Sequence, residues 1–440
     1  MKLASKAFTL SALIFLSRIG GAGVMFGAQA LIAKWLGAES LGQYLQAIAA
    51  ANILGGLLPL GFQTIAAYFA AEYASLGHGR SLRLFMRQTY LQILLMSVVS
   101  TPLCMWLLSH LGPPEHAIVV NWLQISIYGA AIALAGVAGN TLIALKKPFV
   151  GMSVDTVVRP LLIAASVAMI FVPLSDSFRI SDMLWFAAIS FLMAALAYVW
   201  IATRAVRSVP TDDTLAPGER SRWWNYALPW TLIGLATDFF FDLDLLLLSG
   251  SMSYSELAVF GVMARLFSLA SFGVSSVYLV SLPDVFAAKA KNDDESFKAS
   301  LTKANMAAMG IALLMVAGIA VCAPFALSIF GPDFEQGETP LVILSLSLVL
   351  RCMFGPAALM LSMHNRPYAA LPSVALGLVC LVVGNLVLVP HWGLHGAALS
   401  ALIAMCAWSA TMWWRTLQLT GTDISIFLPV VSYLKPRHGT

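Results

Sequence analysis

The chain has 440 residues, 60% of them hydrophobic and 10% charged, and a net charge of +4. Soluble domains carry about 25% charged residues because charge keeps their surface in water, so a nucleic-acid binder, a secreted scaffold and an ordinary cytosolic enzyme are excluded. The solvent for most of this surface is lipid, and where the few charges fall matters more than their sum.

Apolar segments of roughly 20 residues cross about 30 Å of hydrocarbon at 1.5 Å per residue. Segments of that kind predict an all-α integral membrane protein with twelve transmembrane helices, at 10–33, 42–64, 90–110, 118–143, 149–172, 183–203, 224–249, 257–281, 305–330, 340–363, 369–389 and 395–415. The first segment follows Lys2 and Lys6 as a secretory signal would, but it is too long for a signal core and contains Arg18. It reads as a retained span.

Lys and Arg are held on the cytoplasmic side during insertion. With the N-terminus inside, nineteen of them fall in cytoplasmic segments, among them Arg80, Arg83, Arg87, Lys146, Lys147, Arg204, Arg207, Arg220, Arg222, Lys289, Lys291, Lys298, Lys303, Arg366, Lys435 and Arg437, and only Lys34 and Arg179 fall outside. Both termini are therefore expected in the cytoplasm. Trp223, Trp224, Trp413 and Trp414 sit where interfacial aromatics belong.

Four landmarks recur at nearly one offset. Leu108, Ser109, Gly112 and Pro113 match Leu327, Ser328, Gly331 and Pro332; Lys147-Pro148 matches Arg366-Pro367; Val172-Pro173 matches Val389-Pro390; Leu41 to Tyr44 resembles Leu257 to Phe260. Six helices per half return the chain to its starting side, which predicts two parallel six-helix repeats related by an axis along the membrane normal, with a site between them. The expected divisions are a lobe at 1–205, a turn-rich cytoplasmic linker at 206–222, a second lobe at 223–420 and a cytoplasmic tail at 421–440.

Four arginines remain inside spans. Arg18 lies roughly 12 Å into span one, Arg159 roughly 15 Å into span five, Arg351 roughly 16 Å into span ten and Arg265 roughly 12 Å into span eight from the outside. An ionised group at that depth costs about 2.5–3.5 kcal/mol on insertion scales and needs a partner, water or a ligand. Asp155 precedes Arg159 by one helical turn, so Asp155 and Arg159 are expected to form a structural pair. Arg265 has either Asp238, at similar depth on span seven, or a ligand. Arg18 and Arg351 have no acidic residue at comparable depth in adjacent spans and are the better candidates for holding an anion. Asp238 and Asp242, at i, i+4 on span seven, read as an ion-coupling pair whose mutual repulsion raises proton affinity. Asp242 and Asp244 lie near the outer end, where a simply wet position is the alternative reading, at least as well supported for Asp244. Gly23 and Gly27 form a small-xxx-small step expected to give close helix packing.

The five cysteines all lie in apolar runs without metal-ligand spacing and read as small buried hydrophobes. Neither a HExxH motif nor a GxxxxGK[ST] phosphate loop is present, so no zinc protease or self-contained ATPase is supported. Energy for any transport must come from elsewhere.

The segments Ser17-Arg18-Ile19-Gly20-Gly21, Lys34-Trp35-Leu36-Gly37-Ala38-Glu39-Ser40-Leu41-Gly42-Gln43-Tyr44 and Gly61-Phe62 leading to Tyr68-Phe69-Ala70-Ala71-Glu72-Tyr73 resemble the opening of polysaccharide flippases of the Wzx type. These belong to the MOP superfamily, with MATE multidrug exporters and lipid II flippases. Asp244 to Gly250, Phe330-Gly331-Pro332-Asp333-Phe334 and His391 to Ala398 extend the likeness over most of the chain.

The resemblance implies V-shaped bundles that open alternately, moving an undecaprenyl-diphosphate-linked oligosaccharide across a bacterial inner membrane. It implies cavity arginines on the first and eighth spans that hold the diphosphate: Ser17-Arg18-Ile19-Gly20 matches the former, and Arg265 matches by helix and depth. Arg18, Arg265 and Arg351 form the expected substrate-binding set. A proton or Na+ gradient is the expected drive, with no cofactor. The expected partners are the lipid-linked oligosaccharide, membrane lipids, and polysaccharide polymerase and chain-length proteins, with no nucleic acid.

Of the rivals, a major-facilitator transporter would carry a Gly-x-x-x-Asp-Arg-x-Gly-Arg-Arg pattern that is missing between spans two and three. A membrane glycan polymerase or ligase would carry a large outer loop. A MATE-like drug or cation antiporter shares the fold and separates only by substrate, although the first span lacks the aspartates of that family.

Overall fold

The computed structural model describes residues 2–111, 117–169, 180–211, 218–290, 293–363 and 367–426. The repeat landmarks at Gly112, Pro113, Val172, Pro173 and Arg366 lie outside these residues, as do Arg179, Lys291, residues 212–217 of the expected linker and 427–440 of the expected tail. The chain divides at Leu246 into two units, each described by itself.

In the first unit the helices are α1 (Lys2–Leu57), α2 (Phe62–Leu76), α3 (Gly79–Leu111), α4 (Ala117–Val120), α5 (Trp122–Ala144), α6 (Pro148–Ser153), α7 (Arg159–Ala168), α8 (Ile180–Arg207), α9 (Glu219–Asp238) and α10 (Phe240–Leu248). The second unit holds the end of α10 and α11 (Tyr254–Ala290), α12 (Asp294–Ser328), α13 (Glu338–Phe354), α14 (Ala357–Met363) and α15 (Leu371–Thr420). Among the described residues, nine helices are long and apolar enough to cross a bilayer, as a multi-pass membrane protein requires. Nine is fewer than the twelve expected, for local reasons. Residues 16–57 and 368–420 each run through two expected spans with one non-helical glycine between, and the expected seventh span is divided at Phe239.

At Gly37 the backbone leaves the helical region, with φ 87° and ψ 165°. Both legs of α1 reach the same stretch at the α6–α7 junction. Ser17 Oγ lies 3.4 Å from Thr156 Oγ1 on the first leg, and Asn52 on the second bonds Arg159. Gly21 precedes Gly37 by nearly as many residues as Asn52 follows it, so the chain folds back at Gly37. The expected Gly23 to Gly27 packing step is not seen among the described residues: a Cβ at either position would meet none of their atoms within 4 Å. The close approach is instead at Gly21, where a Cβ would stand 2.0 Å from the Thr156 carbonyl oxygen.

In α15 the corresponding break is Gly393, at φ 51° and ψ −127°. Ser400 Oγ donates to the Leu381 carbonyl at 3.1 Å. A Cβ at Gly384 would stand 2.4 Å from Ser400 Oγ, and one at Gly396 would stand 2.4 Å from the Leu388 carbonyl. The two legs are antiparallel and touch backbone to backbone, the small-residue packing that membrane helices use when hydrophobicity cannot drive association.

The seam between units falls later than the expected 206–222 linker, because α9 is fastened to α2. Arg222 donates to both oxygens of Glu72, at 2.9 and 2.8 Å, and lies 3.5 Å from Glu219. Tyr73 donates to Glu219 at 2.6 Å and accepts from Trp223 Nε1 at 2.7 Å. Burial, with that bond to Glu219, holds the Tyr73 hydroxyl above its ordinary pKa. Burial would lower Arg222, but its bonds to Glu72 outweigh this and keep it above its ordinary value. Trp223 is therefore no interfacial anchor; it is fully buried, edge-on to Phe85. The end of α8 is pinned alongside, where Gly79 N–H donates to the Pro210 carbonyl at 2.8 Å.

Gly61 allows the α2–α9 contact in two ways. Its φ of 81° is one that L side chains rarely adopt, and a Cβ there would stand 1.9 Å from the Ala227 carbonyl oxygen. Gly61→Ala is expected to destabilise the first unit by about 2–4 kcal/mol from strain plus overpacking, while Gly23→Ala is neutral. Thermal unfolding in detergent checks this, and equal midpoints for the two variants would refute it.

Candidate functional site

The site begins with Pro160. A proline has no N–H to give the carbonyl four residues back, so the Thr156 carbonyl loses its helical donor. The helix widens here: residues Val154–Val158 form a π turn, with the Arg159 N–H donating to the Val154 carbonyl. Such turns recur at functional sites. Gly21 covers the released Thr156 oxygen, bringing the first leg of α1 and with it Arg18 onto this turn.

The widened turn breaks the spacing on which the Asp155–Arg159 pair was expected. Among the described residues the two form no ion pair within 4.0 Å. Arg159 points elsewhere: its Nε donates to the Tyr128 hydroxyl at 3.0 Å, its Nη2 donates to Asn52 Oδ1, and its Cζ lies 5.4 Å from the Tyr128 ring centroid. Asn52 in turn donates to both carboxylate oxygens of Asp242 at 3.2 Å. The amide thus separates two opposite charges and satisfies both, linking α1, α7 and α10.

Asp155 instead faces a cavity of about 160 Å³ within the first unit, lined by Arg18, Gln63, Asn140, Thr156, Met152 and Ile143 with three glycines, Gly136, Gly139 and Gly151. The carboxylate stays within electrostatic reach of both Arg159 and Arg18. Each glycine has a reason. Gly139 and Gly151 cross so closely that a Cβ on either would fall 2.5–2.7 Å from the other's carbonyl oxygen, and a Cβ on Gly136 would meet the Gln63 amide nitrogen at 2.5 Å. Asn140 Nδ2 donates to the Gln63 carbonyl at 2.9 Å, which fixes the start of α2 against α5. Arg18 is exposed toward accessible space.

The other expected site residues are not gathered here. Arg265 is half-buried on α11 and Arg351 is exposed near the end of α13, both in the second unit. Arg351 makes no hydrogen bond or ion pair with a described residue; Tyr278 and Cys352 lie within its electrostatic reach. The helix breaks at Phe239 (φ −116°, ψ 22°), between Asp238 and Asp242, so an unbroken i, i+4 spacing does not run through them. Asp238 is exposed and accepts from Thr237 Oγ1 at 3.2 Å, whereas Asp242 accepts from Asn52. The break seats Phe239 on Gly56, where a Cβ would come 2.4 Å from the ring. Asp244 is fully buried, which removes the wet reading for it.

Below Arg351, residues after α15 fold back onto the second unit. Asn305 Nδ2 donates to the Ile424 carbonyl at 2.8 Å, and the Ile426 N–H donates to the Met353 carbonyl at 3.0 Å. Gly355 (φ 72°) makes room, since a Cβ there would stand 2.1 Å from the Ile424 oxygen. Sequence reasoning missed Gln63, Asn140, Thr156 and the Asn52 bridge; Pro160 directly after a membrane-depth arginine was the available signal.

No protein-family model and no curated protein matches the sequence. Solved structures do match the fold. A multidrug resistance MATE family transporter of the MOP superfamily, in an inward-facing conformation, aligns at TM-score 0.72 and 15% identity over 92% of this chain and 98% of that chain. The lipid II flippase MurJ, in an inward closed conformation, aligns at TM-score 0.71 and 14% identity over 98% of this chain and 94% of its own. A MOP superfamily transporter from Pyrococcus furiosus, described as having a binding pocket of reverse polarity, aligns at TM-score 0.62 and 16% identity, covering 94% and 96%. The fold is one found in transporters and flippases.

Proposed function

We propose that this chain is a lipid-linked oligosaccharide flippase, moving an undecaprenyl-diphosphate-linked glycan across the bacterial inner membrane by alternating access driven by a proton or sodium gradient. The observation that carries this reading is Arg18, a guanidinium at membrane depth that opens on a polar cavity. A diphosphate cannot cross hydrocarbon bare, and an arginine fork binds phosphate oxygens bidentately. Arg351, exposed within a span and without a hydrogen-bonding partner among the described residues, supports an anionic cargo, with Arg265 as the third member of the set. Sugars need a wet path, whereas the polyprenyl tail can stay in lipid.

One observation favours a MATE-like cation antiporter as the second reading: the Asp155 carboxylate faces the same cavity. Substrate decides between them. In a strain deleted for this gene, surface polysaccharide is expected to be lost while the lipid-linked unit accumulates inside, and plasmid expression restores display. Normal display in the deletion strain, with no redundant protein, would overturn the flippase reading. In the same assay Asp238→Asn tests coupling, and an unchanged pH dependence removes Asp238 from it.

A further inference from the structure

We infer that the cavity beside Arg18 is a monosaccharide subsite, taking the sugar ring attached directly to the diphosphate of the cargo. The inference rests on the flippase reading and names which part of the substrate this chain inspects.

Three kinds of observation point to it. The first is unspent hydrogen-bonding capacity. The Gln63 side-chain amide, the Asn140 carbonyl oxygen Oδ1 and the Asp155 carboxylate all line the cavity, and none makes a hydrogen bond to a described residue. Gln63 and Asn140 stand near the cytoplasmic ends of their expected spans, so this capacity is open to a ligand entering from that side.

The second is their chemical mixture. A bare cation asks for acceptors alone and an inorganic anion for donors alone. Here Asp155 and Asn140 Oδ1 accept, Arg18 donates, and Gln63 does both. That combination suits vicinal hydroxyls, each of which is donor and acceptor at once.

The third is size and shape. The cavity is partly open, and its volume of about 160 Å³ is of the order of one polar ring, with further sugars left outside it. Gly139 and Gly151 let their two helices cross backbone to backbone, and Gly136 seats the Gln63 amide, so the floor of the cavity is set by close helix packing. The Gln63 amide lies over Gly136, and the start of its helix is tied to Asn140. The polar groups are thus held by helix crossings and not by loops. Groups held in place in advance lose little freedom when they meet the hydroxyls of a ring.

The test uses the purified full-length protein in nanodiscs and two probes: farnesyl diphosphate, and farnesyl diphosphate bearing one N-acetylglucosamine. For the wild type the sugar is expected to tighten binding at least tenfold, about the worth of one well-made hydrogen bond. In Gln63→Leu and in Asp155→Ala the ratio between the probes falls toward one, with thermal unfolding confirming that each variant folds. If one of them fails to fold, the other carries the test, because Gln63 and Asp155 sit on separate helical segments. Equal wild-type affinity for both probes overturns the subsite and leaves the flippase reading standing. A sugar increment that survives in both variants overturns it also, since the ring then binds elsewhere. Failure of the wild type to bind either probe overturns the flippase reading and the subsite with it.

Discussion

Arg18→Ala is expected to reduce surface glycan display by roughly a hundredfold or more in the complemented deletion strain, with little change in the amount of folded protein. A hydrogen bond to a charged group is worth about 1.5–3 kcal/mol. Losing both prongs of a bidentate fork therefore removes about 3–6 kcal/mol, or two to four powers of ten in affinity. Arg18 is exposed on α1, so its loss leaves no core cavity. Arg18→Lys should retain part of the activity, because a lysine keeps the charge and gives up the planar fork. Full display with Arg18→Ala would mean that the headgroup is held elsewhere, and Arg351 would be the next residue to truncate.

The second large effect is on stability. Asn52→Leu is expected to cost about 3–5 kcal/mol, read as a lowered unfolding midpoint in detergent. One amide answers the Arg159 guanidinium on one side and both Asp242 oxygens on the other. Leucine keeps the branched four-atom skeleton and takes this amide away from both charges. Combining Asn52→Leu with Asp242→Asn should recover part of the loss, since the side chain that lost the amide is then neutral. A midpoint unchanged in the single variant would show that water answers both charges as well as the amide does.

Much of the architecture was legible because lipid imposes a coarse rule. Apolar stretches marked the helices, and the basic residues concentrated in a few connections. The sequence did not show that a single glycine can fold a helix back on itself. Gly37 and Gly393 interrupt helical geometry at one residue each, too short a feature for a hydropathy window to register.

The site was legible in part, and the misreadings share one cause. Pairing Asp155 with Arg159 and Asp238 with Asp242 assumed an undisturbed 3.6-residue turn. Pro160 widens the first of these turns and Phe239 ends the second, so the regular spacing assumed for each pair is interrupted by local backbone chemistry. Arg18 was found because a charge in a span stands out against its neighbours. Gln63, Asn140 and Asn52 were not, because an uncharged amide carries no comparable signal and its importance depends on what the fold sets beside it. The tie between Glu72 and Arg222 was hidden for a different reason. It joins residues far apart in the chain, and it placed the start of the seventh span with the first unit.

The glycine contacts within α15 have one more consequence. Acyl chains solvate leucine as readily as another helix does, so a seam of leucines can be prised open by the bilayer itself. Between Gly384 and Ser400, and between Gly396 and Leu388, the gap is narrower than a methylene, and no lipid tail can wedge into it. The last two rods of the chain are therefore a single stave, stiff against changes in membrane fluidity, and any rocking of the second unit must carry them together.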